Sequence, residues 1–214
     1  MAATAQVLFL PWLRQGLAAR LANADTLAAT LPASTDLTVT LGVTTPASNP
    51  IPTVRMPGPG DVIGIDPRQV VRTEPSAGST DFEAPALAAI EFDNPDLPWL
   101  FTPAAADSQG RLRPWLCLVV ARQQDGVRLR PAGSEALPVL EINAPAKPAD
   151  ELPNLAESWA WAHAQVGWPH DAPPDEVTLR SLLATRPELS VSRLLCARRL
   201  TAFTDYIACV VPTF

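Results

Sequence analysis

The chain has 214 residues, enough for one domain or two small ones, and 47% of them are hydrophobic while only 18% are charged. This balance excludes a disordered, solvating chain, which needs low hydrophobicity and high net charge. The formal net charge of -6 argues against a general phosphate-binding surface, so nucleic acid is not an expected partner. No apolar run in the sequence approaches the roughly 20 residues of a membrane-spanning helix.

Short apolar runs broken by proline dominate the first two thirds of the chain, because the 24 prolines restrict long helices and central strands. Alternation predicts a half-buried strand over 36–43, and the unbroken apolar run 115–120 predicts a strand that is buried on both faces. A turn over 123–126 predicts a hairpin that returns through 127–130. The other predicted strands span 6–13, 53–56, 61–65, 69–72, 86–92, 137–142, 191–196 and 202–211, and a short helix is predicted over 15–29.

Two helices are predicted in the C-terminal third. The first covers 150–167, because its large apolar residues recur at helical spacing, and the second begins after Asp175 as N-cap and ends at Pro187. The fold class is therefore α+β, a single domain over 1–214 of mostly short antiparallel β-strands, with a sub-boundary near 143–150 as the alternative. The face of the first helix consists of Leu155, Trp159, Ala162 and Val166, and the inward residues of the second are Leu179, Leu182 and Leu183.

The three cysteines, Cys117, Cys196 and Cys209, are widely spaced and lie in apolar stretches. No pair has the spacing of a zinc site or a redox motif, so each is expected to be a small buried hydrophobe. The first ten residues lack the basic segment and long apolar core of a secretory signal. These features predict a cytoplasmic protein, with assembly into a larger particle left open.

The tripeptide Pro-Trp-Leu occurs three times, so half of the six tryptophans directly follow a proline. Two interpretations are open. These tryptophans wedge core layers together, since tryptophan buries a large apolar area, or some are exposed anchors for a protein partner, since interface hot spots favour tryptophan and arginine. The candidate partner-binding residues are Trp12, Arg14, Trp99, Arg113, Trp115, Trp161 and Trp168.

Arginine supplies almost all the basic charge, because Lys147 is the only lysine. Arginine forms planar, bidentate contacts with carboxylates better than lysine does. Coding bias explains the same composition without any structural preference, and the sequence alone does not separate the two explanations.

No nucleophile elbow, Walker sequence or dinucleotide fingerprint is present, and no cofactor is predicted. The two histidines, His163 and His170, have no companions at a common zinc spacing. Acidic residues are expected to lie in solvated turns or to pair with Arg68 and Arg72. The alternative is an enzyme or ligand-binding domain whose site is built from dispersed carboxylates and arginines. Its candidate residues are Asp61, Asp66, Asp93 and Asp96, with His163.

Five segments carry a family resemblance: 60–75 (GDVIGIDPRQVVRTEP), 91–103 (EFDNPDLPWLFTP), 111–116 (RLRPWL), 159–163 (WAWAH) and 211–214 (VPTF). Together they resemble the N-terminal region of large uncharacterised bacterial proteins linked to phage-tail-like contractile injection systems. The resemblance covers most of the chain and implies an N-terminal domain or a short version of such a protein. It implies a non-enzymatic structural or adaptor module that acts by protein–protein contacts or self-assembly, and it supplies no catalytic residues.

Overall fold

A computed structural model of the chain shows mostly antiparallel β-strands with two helices in the C-terminal third of the described residues, which confirms the predicted α+β class. Three N-terminal strands are described by their backbone: β1 (Gln6–Leu10), β2 (Thr35–Thr38) and β3 (Thr53–Met56). The structure describes backbone and side chains over 62–83, 86–102, 107–131, 137–168 and 174–213.

The remaining elements follow in chain order, and short 3₁₀ segments join several of them. The 3₁₀ segments are Pro67–Gln69, Leu97–Trp99, Leu155–Ala160 and Pro187–Leu189. The strands and helices are β4 (Val70–Glu74), β5 (Leu87–Phe92), β6 (Leu116–Arg122), β7 (Val127–Arg130), β8 (Val139–Ile142), α1 (Pro148–Glu151), β9 (Ala162–Trp168), α2 (Glu176–Thr185), β10 (Ser190–Arg199) and β11 (Tyr206–Pro212).

The largest sheet has five antiparallel strands in the order β1-β9-β10-β5-β4, and β6 pairs separately with β11. Two further ladders join β2 to β3 and β7 to β8. Because successive side chains of a strand point to opposite faces, β9 and β10 each bury every second residue. That buried face packs against β6 in one core cluster, whose largest members are Phe92, Trp99, Trp115, Leu118 and Leu194.

Two sequence predictions in this region are confirmed. Strand β6 is buried on both faces from Leu116 to Ala121, as the unbroken apolar run predicts. Helix α2 begins where predicted, because the side chain of Asp175 accepts the backbone N–H of Thr178 at 2.7 Å and caps the first turn. Its inward leucines, Leu179, Leu182 and Leu183, pack against the core cluster.

The predicted helix over 150–167 is wrong. That stretch contains the last residues of the one-turn helix α1, a 3₁₀ segment and strand β9. Ala162 and Val166 are four residues apart, and this spacing places two residues on one face of a helix and also on one face of a strand. Burial of the intervening Ala164 and of Trp168 shows that the period is two.

The predicted hairpin between β6 and β7 is also wrong, because β7 pairs with β8 and β6 pairs with β11. Gly126 redirects the chain between them. Its φ of +87° favours glycine, and a Cβ there would clash with the carbonyl oxygen of Asn143. The N–H of Asn143 donates to the carbonyl of Gly126 at 2.8 Å, which fixes β7 beside β8.

One predicted strand at the N-terminal side is also wrong. Residues 62–65 are not a strand; they form an irregular segment before the 3₁₀ turn at Pro67–Gln69. Strand β2 over 35–38 overlaps the predicted strand over 36–43, and the rest of that prediction lies outside the described residues. The predicted helix over 15–29 lies outside the described residues, and the division of the chain into one domain stays a prediction.

Candidate functional site

Two of the three Pro-Trp-Leu copies pack against each other in the core. The backbone N–H of Trp115 donates to the carbonyl of Pro98 at 2.8 Å, and its indole Nε1 donates to the carbonyl of Leu97 at 2.6 Å. The ring of Phe101 meets that of Trp115 edge-on, with the centroids 5.0 Å apart. Trp99 and Trp115 are each only 2% exposed, so these two candidates are core wedges and offer no surface to a partner.

The other partner-binding candidates are divided between core and surface. Trp168 is buried at the end of β9, Trp161 is half-buried, and Arg113 is exposed. Trp12 and Arg14 lie outside the described residues. Burial therefore excludes Trp168 as a surface anchor and leaves Trp161 and Arg113 as candidates.

Trp159, which the sequence placed on a buried helical face, is instead on the surface. The Arg111 guanidinium stacks over its ring, with Cζ 4.7 Å from the centroid. Asp107 fixes that guanidinium, because its Oδ2 accepts Arg111 Nε at 2.8 Å. Leu152 and Leu155, in the segment leading to Trp159, are also exposed. We call Trp159 and the stacked Arg111 the tryptophan–arginine surface.

Three of the ion clusters among the described residues share one plan, in which a glutamate lies between two arginines. This arrangement uses the planar, multi-donor guanidinium and gives the arginine-rich composition a structural role. The clusters are Glu151 with Arg122 and Arg198, Glu91 with Arg72 and Arg193, and Glu141 with Arg128 and Arg130.

Glu151 is the most deeply buried of the three, with a side chain 1% exposed. Its Oε1 accepts Arg122 Nε and Gln124 Nε2, both at 2.9 Å, and its Oε2 accepts Arg198 Nη1 at 2.5 Å and the backbone N–H of Arg122 at 2.8 Å. Burial alone would raise the pKa of Glu151. The hydrogen bonds from Arg198 and from the Arg122 backbone outweigh burial and lower the pKa to about 2.

The Glu151–Arg198 pair also occupies the edge of β6 that β11 leaves open. Arg198 Nη1 donates to the carbonyl of Val120 at 2.9 Å, and Glu151 accepts the N–H of Arg122, two residues further along the same strand. The N–H of Gln123 points the opposite way, toward the β11 side. The two side chains therefore supply one acceptor and one donor where a neighbouring strand would, and they satisfy buried backbone groups.

Glu91 belongs to a row of polar side chains across four strands of the five-stranded sheet. In the register of the sheet, His163 of β9 lies opposite Arg193 of β10. Arg193 in turn lies opposite Glu91 of β5, which lies opposite Arg72 of β4. Glu91 accepts hydrogen bonds from Arg193 and, at 3.2 Å, from Arg72 Nη2.

Glu91 and His163 of this row have shifted pKa values. Burial raises the pKa of Glu91, but the hydrogen bond and charge of Arg193, with the charge of Arg72, leave it below its usual value. Burial lowers the pKa of His163, the charge of Arg193 lowers it further, and Glu91 opposes both. The pKa of His163 therefore lies below its usual value.

Within the described residues, Asp66, Asp93 and Asp96 of the alternative hypothesis form no cluster with His163. Asp66 caps the Pro67–Gln69 turn and pairs with Arg68 Nη2 at 2.6 Å, which is the ion-pair explanation given by the sequence. Asp93 is exposed, and Asp96 begins a 3₁₀ segment. Asp61 lies outside the described residues. Within the described ranges, no group of three or more His, Cys, Asp or Glu is placed to hold a metal ion.

An apolar cleft of about 260 Å³ opens between the β4–β5 side of the large sheet and the β6–β11 pair. Its walls are apolar side chains and one glycine, Gly64, so it can accept an aliphatic or aromatic group but has no acid or base for chemistry. The sequence did not reveal it, because its walls come from five separate segments of the chain. They include Val62, Phe92, Trp115, Leu137, Val210 and Pro212.

The cysteines confirm the prediction of buried hydrophobes for two of three positions. Cys117 and Cys196 are buried, and Cys209 is half-buried. Burial, with a smaller contribution from Cys196, raises the pKa of Cys117 to about 11. A thiol with such a pKa is a poor nucleophile at neutral pH.

Comparison of the chain with protein-family models, curated proteins and solved structures gives no match in any of the three. Among the residues that the structure describes, helices are too short or too polar to cross a bilayer.

Proposed function

We propose that this chain is a non-enzymatic structural or adaptor module that acts through protein–protein contacts in a phage-tail-like or contractile injection assembly. The observation that carries the proposal is the tryptophan–arginine surface. Tryptophan and arginine are the residues most enriched at interface hot spots, and here an exposed Trp159 carries Arg111 already stacked and held by Asp107. A side chain that is ordered before binding loses less entropy when a partner covers it.

The arrangement of the polar groups also favours a non-enzymatic module over an enzyme. Glu91, Glu141 and Glu151 are each committed to two arginines, and the cleft has apolar walls. The assembly, and a cytoplasmic place within a particle, rest on the family resemblance of the five sequence segments.

The test is co-purification with contractile particles. A tagged chain expressed in a bacterium that produces such particles should sediment with them, and Trp159→Ser should reduce that fraction severalfold. Val177→Ser is the matched control, because it removes another exposed apolar side chain, on α2, and should sediment like the wild type. Thermal melts of both variants check that they fold. A wild-type chain that stays in the supernatant contradicts the proposal, as does equal sedimentation of Trp159→Ser.

A further inference from the structure

The loop 152–160, between α1 and β9, has both of its ends fixed to strand β10. At its start, Glu151 Oε2 accepts a hydrogen bond from Arg198 Nη1 at 2.5 Å. At its end, the carbonyl of Trp161 accepts the N–H of Leu195 at 2.8 Å. Leu195 and Arg198 are only about 10 Å apart along the strand, whereas a fully extended chain of the loop's length would reach about 30 Å. The loop therefore projects from the sheet on a narrow base, the arrangement of a compact surface loop.

The two ends of this base are held by different kinds of contact. After Trp161 the chain enters the antiparallel backbone ladder of β9 with β10. The end at Glu151 is held through its side chain, which accepts hydrogen bonds from Arg122 of β6 and Arg198 of β10. A substitution of Arg198 therefore weakens one end of the base and leaves the ladder at the other end in place.

Hydrogen bonds inside the loop are local. The Asn154 side chain accepts the N–H of Ala156 at 3.1 Å, and the Asn154 carbonyl accepts the N–H of Glu157 at 3.1 Å. These bonds begin the 3₁₀ segment Leu155–Ala160, whose six residues are too few for a helix to persist without support from the rest of the fold. The order of the loop therefore depends on its base.

Trp159 lies near the end of this loop and contacts a separate segment of the chain. The Arg111 guanidinium lies 4.7 Å from the centroid of its ring, and Asp107 fixes that guanidinium independently of the loop. The two halves of the tryptophan–arginine surface thus come from different parts of the chain. Their stack forms only when the loop is correctly placed.

We propose that Glu151 and Arg198 form a clamp that positions Trp159 against Arg111 before a partner binds. The inference rests on the proposed function, because the surface that the clamp positions is the one that the partner covers. When the clamp is intact, the partner meets an ordered surface. When it is broken, the loop samples many conformations, and binding must also supply the free energy of ordering it. Glu151, with a side chain 1% exposed, is a positioning residue that acts through the loop.

Hydrogen exchange measures whether the clamp holds the loop. Arg198→Met removes the donors and retains the apolar stem of the side chain, and Arg198→Lys is a milder variant in case the first does not fold. In both, the amides of the loop, including those of Ala156 and Glu157, should exchange severalfold faster than in the wild type. The amides of the β9–β10 ladder should be accelerated less, because the opening of the loop is local.

Two controls separate a local release of the loop from a general loss of stability. Glu91→Gln weakens the five-stranded sheet through partners on β4 and β10, and it should not accelerate the loop amides more than the ladder amides. Arg128→Lys makes the same substitution as Arg198→Lys in the exposed Glu141 cluster, and it should exchange like the wild type. Loop amides that are unprotected in the wild type would overturn the inference. So would Arg198 variants in which the loop is accelerated no more than the ladder.

Sedimentation with contractile particles measures the consequence for binding. Arg198→Lys retains Trp159 and Arg111, yet its particle-bound fraction should fall severalfold, whereas Arg128→Lys should sediment like the wild type. Equal fractions for the two variants, with the loop released in the first, would overturn the positioning role and leave the proposed function intact. A wild-type chain that stays in the supernatant overturns the proposed function and the positioning role together, whereas unchanged loop exchange overturns the clamp alone.

Discussion

Glu151 and Glu141 each lie between two arginines, yet the two clusters are built in different ways. The Glu151 side chain is 1% exposed, and its arginines come from β6 and β10, 29 and 47 residues away along the chain. The Glu141 side chain is 21% exposed, and both of its arginines lie on the neighbouring strand β7. The first cluster connects elements that are distant in the chain, whereas the second connects only the two adjacent strands β7 and β8.

This difference decides what each carboxylate contributes to stability. Removing one member of a buried ion cluster leaves uncompensated charge and unsatisfied hydrogen-bonding groups in the interior. Water and salt screen the exposed cluster, and its mobile side chains lose entropy when they pair. One glutamate and two arginines therefore form a structural tie in one place and a nearly neutral contact in the other.

The largest effect is expected for Glu151→Gln. The amide retains the shape but removes the charge that balances Arg122 and Arg198, and it cannot accept all four hydrogen bonds of the carboxylate. We expect a loss of about 3–5 kcal/mol in the free energy of unfolding, measured by urea denaturation. A loss no larger than that of Glu141→Gln, measured beside it, would show that burial does not distinguish the clusters.

Acid should remove the contribution of Glu151. Its pKa is about 2 in the folded chain, against 4.5 for a free side chain, so its stabilisation is complete above pH 4.5 and is lost as the pH falls toward 2. The shift corresponds to about 3 kcal/mol. The unfolding free energies of the wild type and Glu151→Gln should therefore converge between pH 4.5 and 2. A constant difference over that range would contradict the pKa assignment.

Glu91→Gln tests the cluster between these extremes, whose glutamate side chain is 10% exposed. We expect a loss of about 2 kcal/mol in the free energy of unfolding, because Arg193 and Arg72 lose a charged partner. The substitution should also lower the pKa of His163 further, because the negative charge of Glu91 opposes the lowering caused by burial and by Arg193. NMR titration of the ring, assigned with a His170→Gln variant, measures that pKa. An unchanged or higher pKa would contradict the proposed electrostatic interaction between Glu91 and His163.

Arg198→Lys tests whether the guanidinium group, and not only its positive charge, contributes to the free energy of unfolding. Arg198 donates to the carboxylate of Glu151 and to the carbonyls of Val120 and Asp150, which a single ammonium group cannot reach together. We expect a loss of about 1 kcal/mol. Arg128→Lys in the exposed cluster should have no measurable effect on the denaturation midpoint. Equal effects of the two substitutions would favour coding bias as the source of the arginine-rich composition.

Local sequence patterns correctly predict the elements that are determined by residues close together in the chain. The unbroken apolar run gave β6, and the capping residue Asp175 gave the start of α2. Strand β9 was missed because Ala162 and Val166 satisfy the helical and the extended period equally. Because the sequence pattern of this segment fits both a helix and a strand, its pairing with β1 and β10 determines that it is a strand.

The candidate sites were less predictable, because they depend on contacts between distant segments. Glu151 lies in a stretch with no signal for Arg122 or Arg198, and the walls of the cleft come from separate segments. Trp159 was assigned to the core because its helix was predicted where a 3₁₀ segment forms. The sequence predicts that acidic residues pair with Arg68 or lie in solvated turns, and the observed Asp66–Arg68 pair is a local contact, two residues apart.

The smallest effect is expected for Glu141→Gln. Arg128 and Arg130 hold the carboxylate at 2.5 and 2.9 Å, and their hydrogen bonds lower the pKa of Glu141, but both guanidinium groups are exposed to water. Exposed pairs of this kind contribute little, and salt screens them. The urea midpoint should therefore match that of the wild type within error in 0.5 M salt, with at most a slight decrease at low salt. A large decrease that persists at high salt would mean that the β7–β8 ladder, like the edge of β6, depends on its ion cluster.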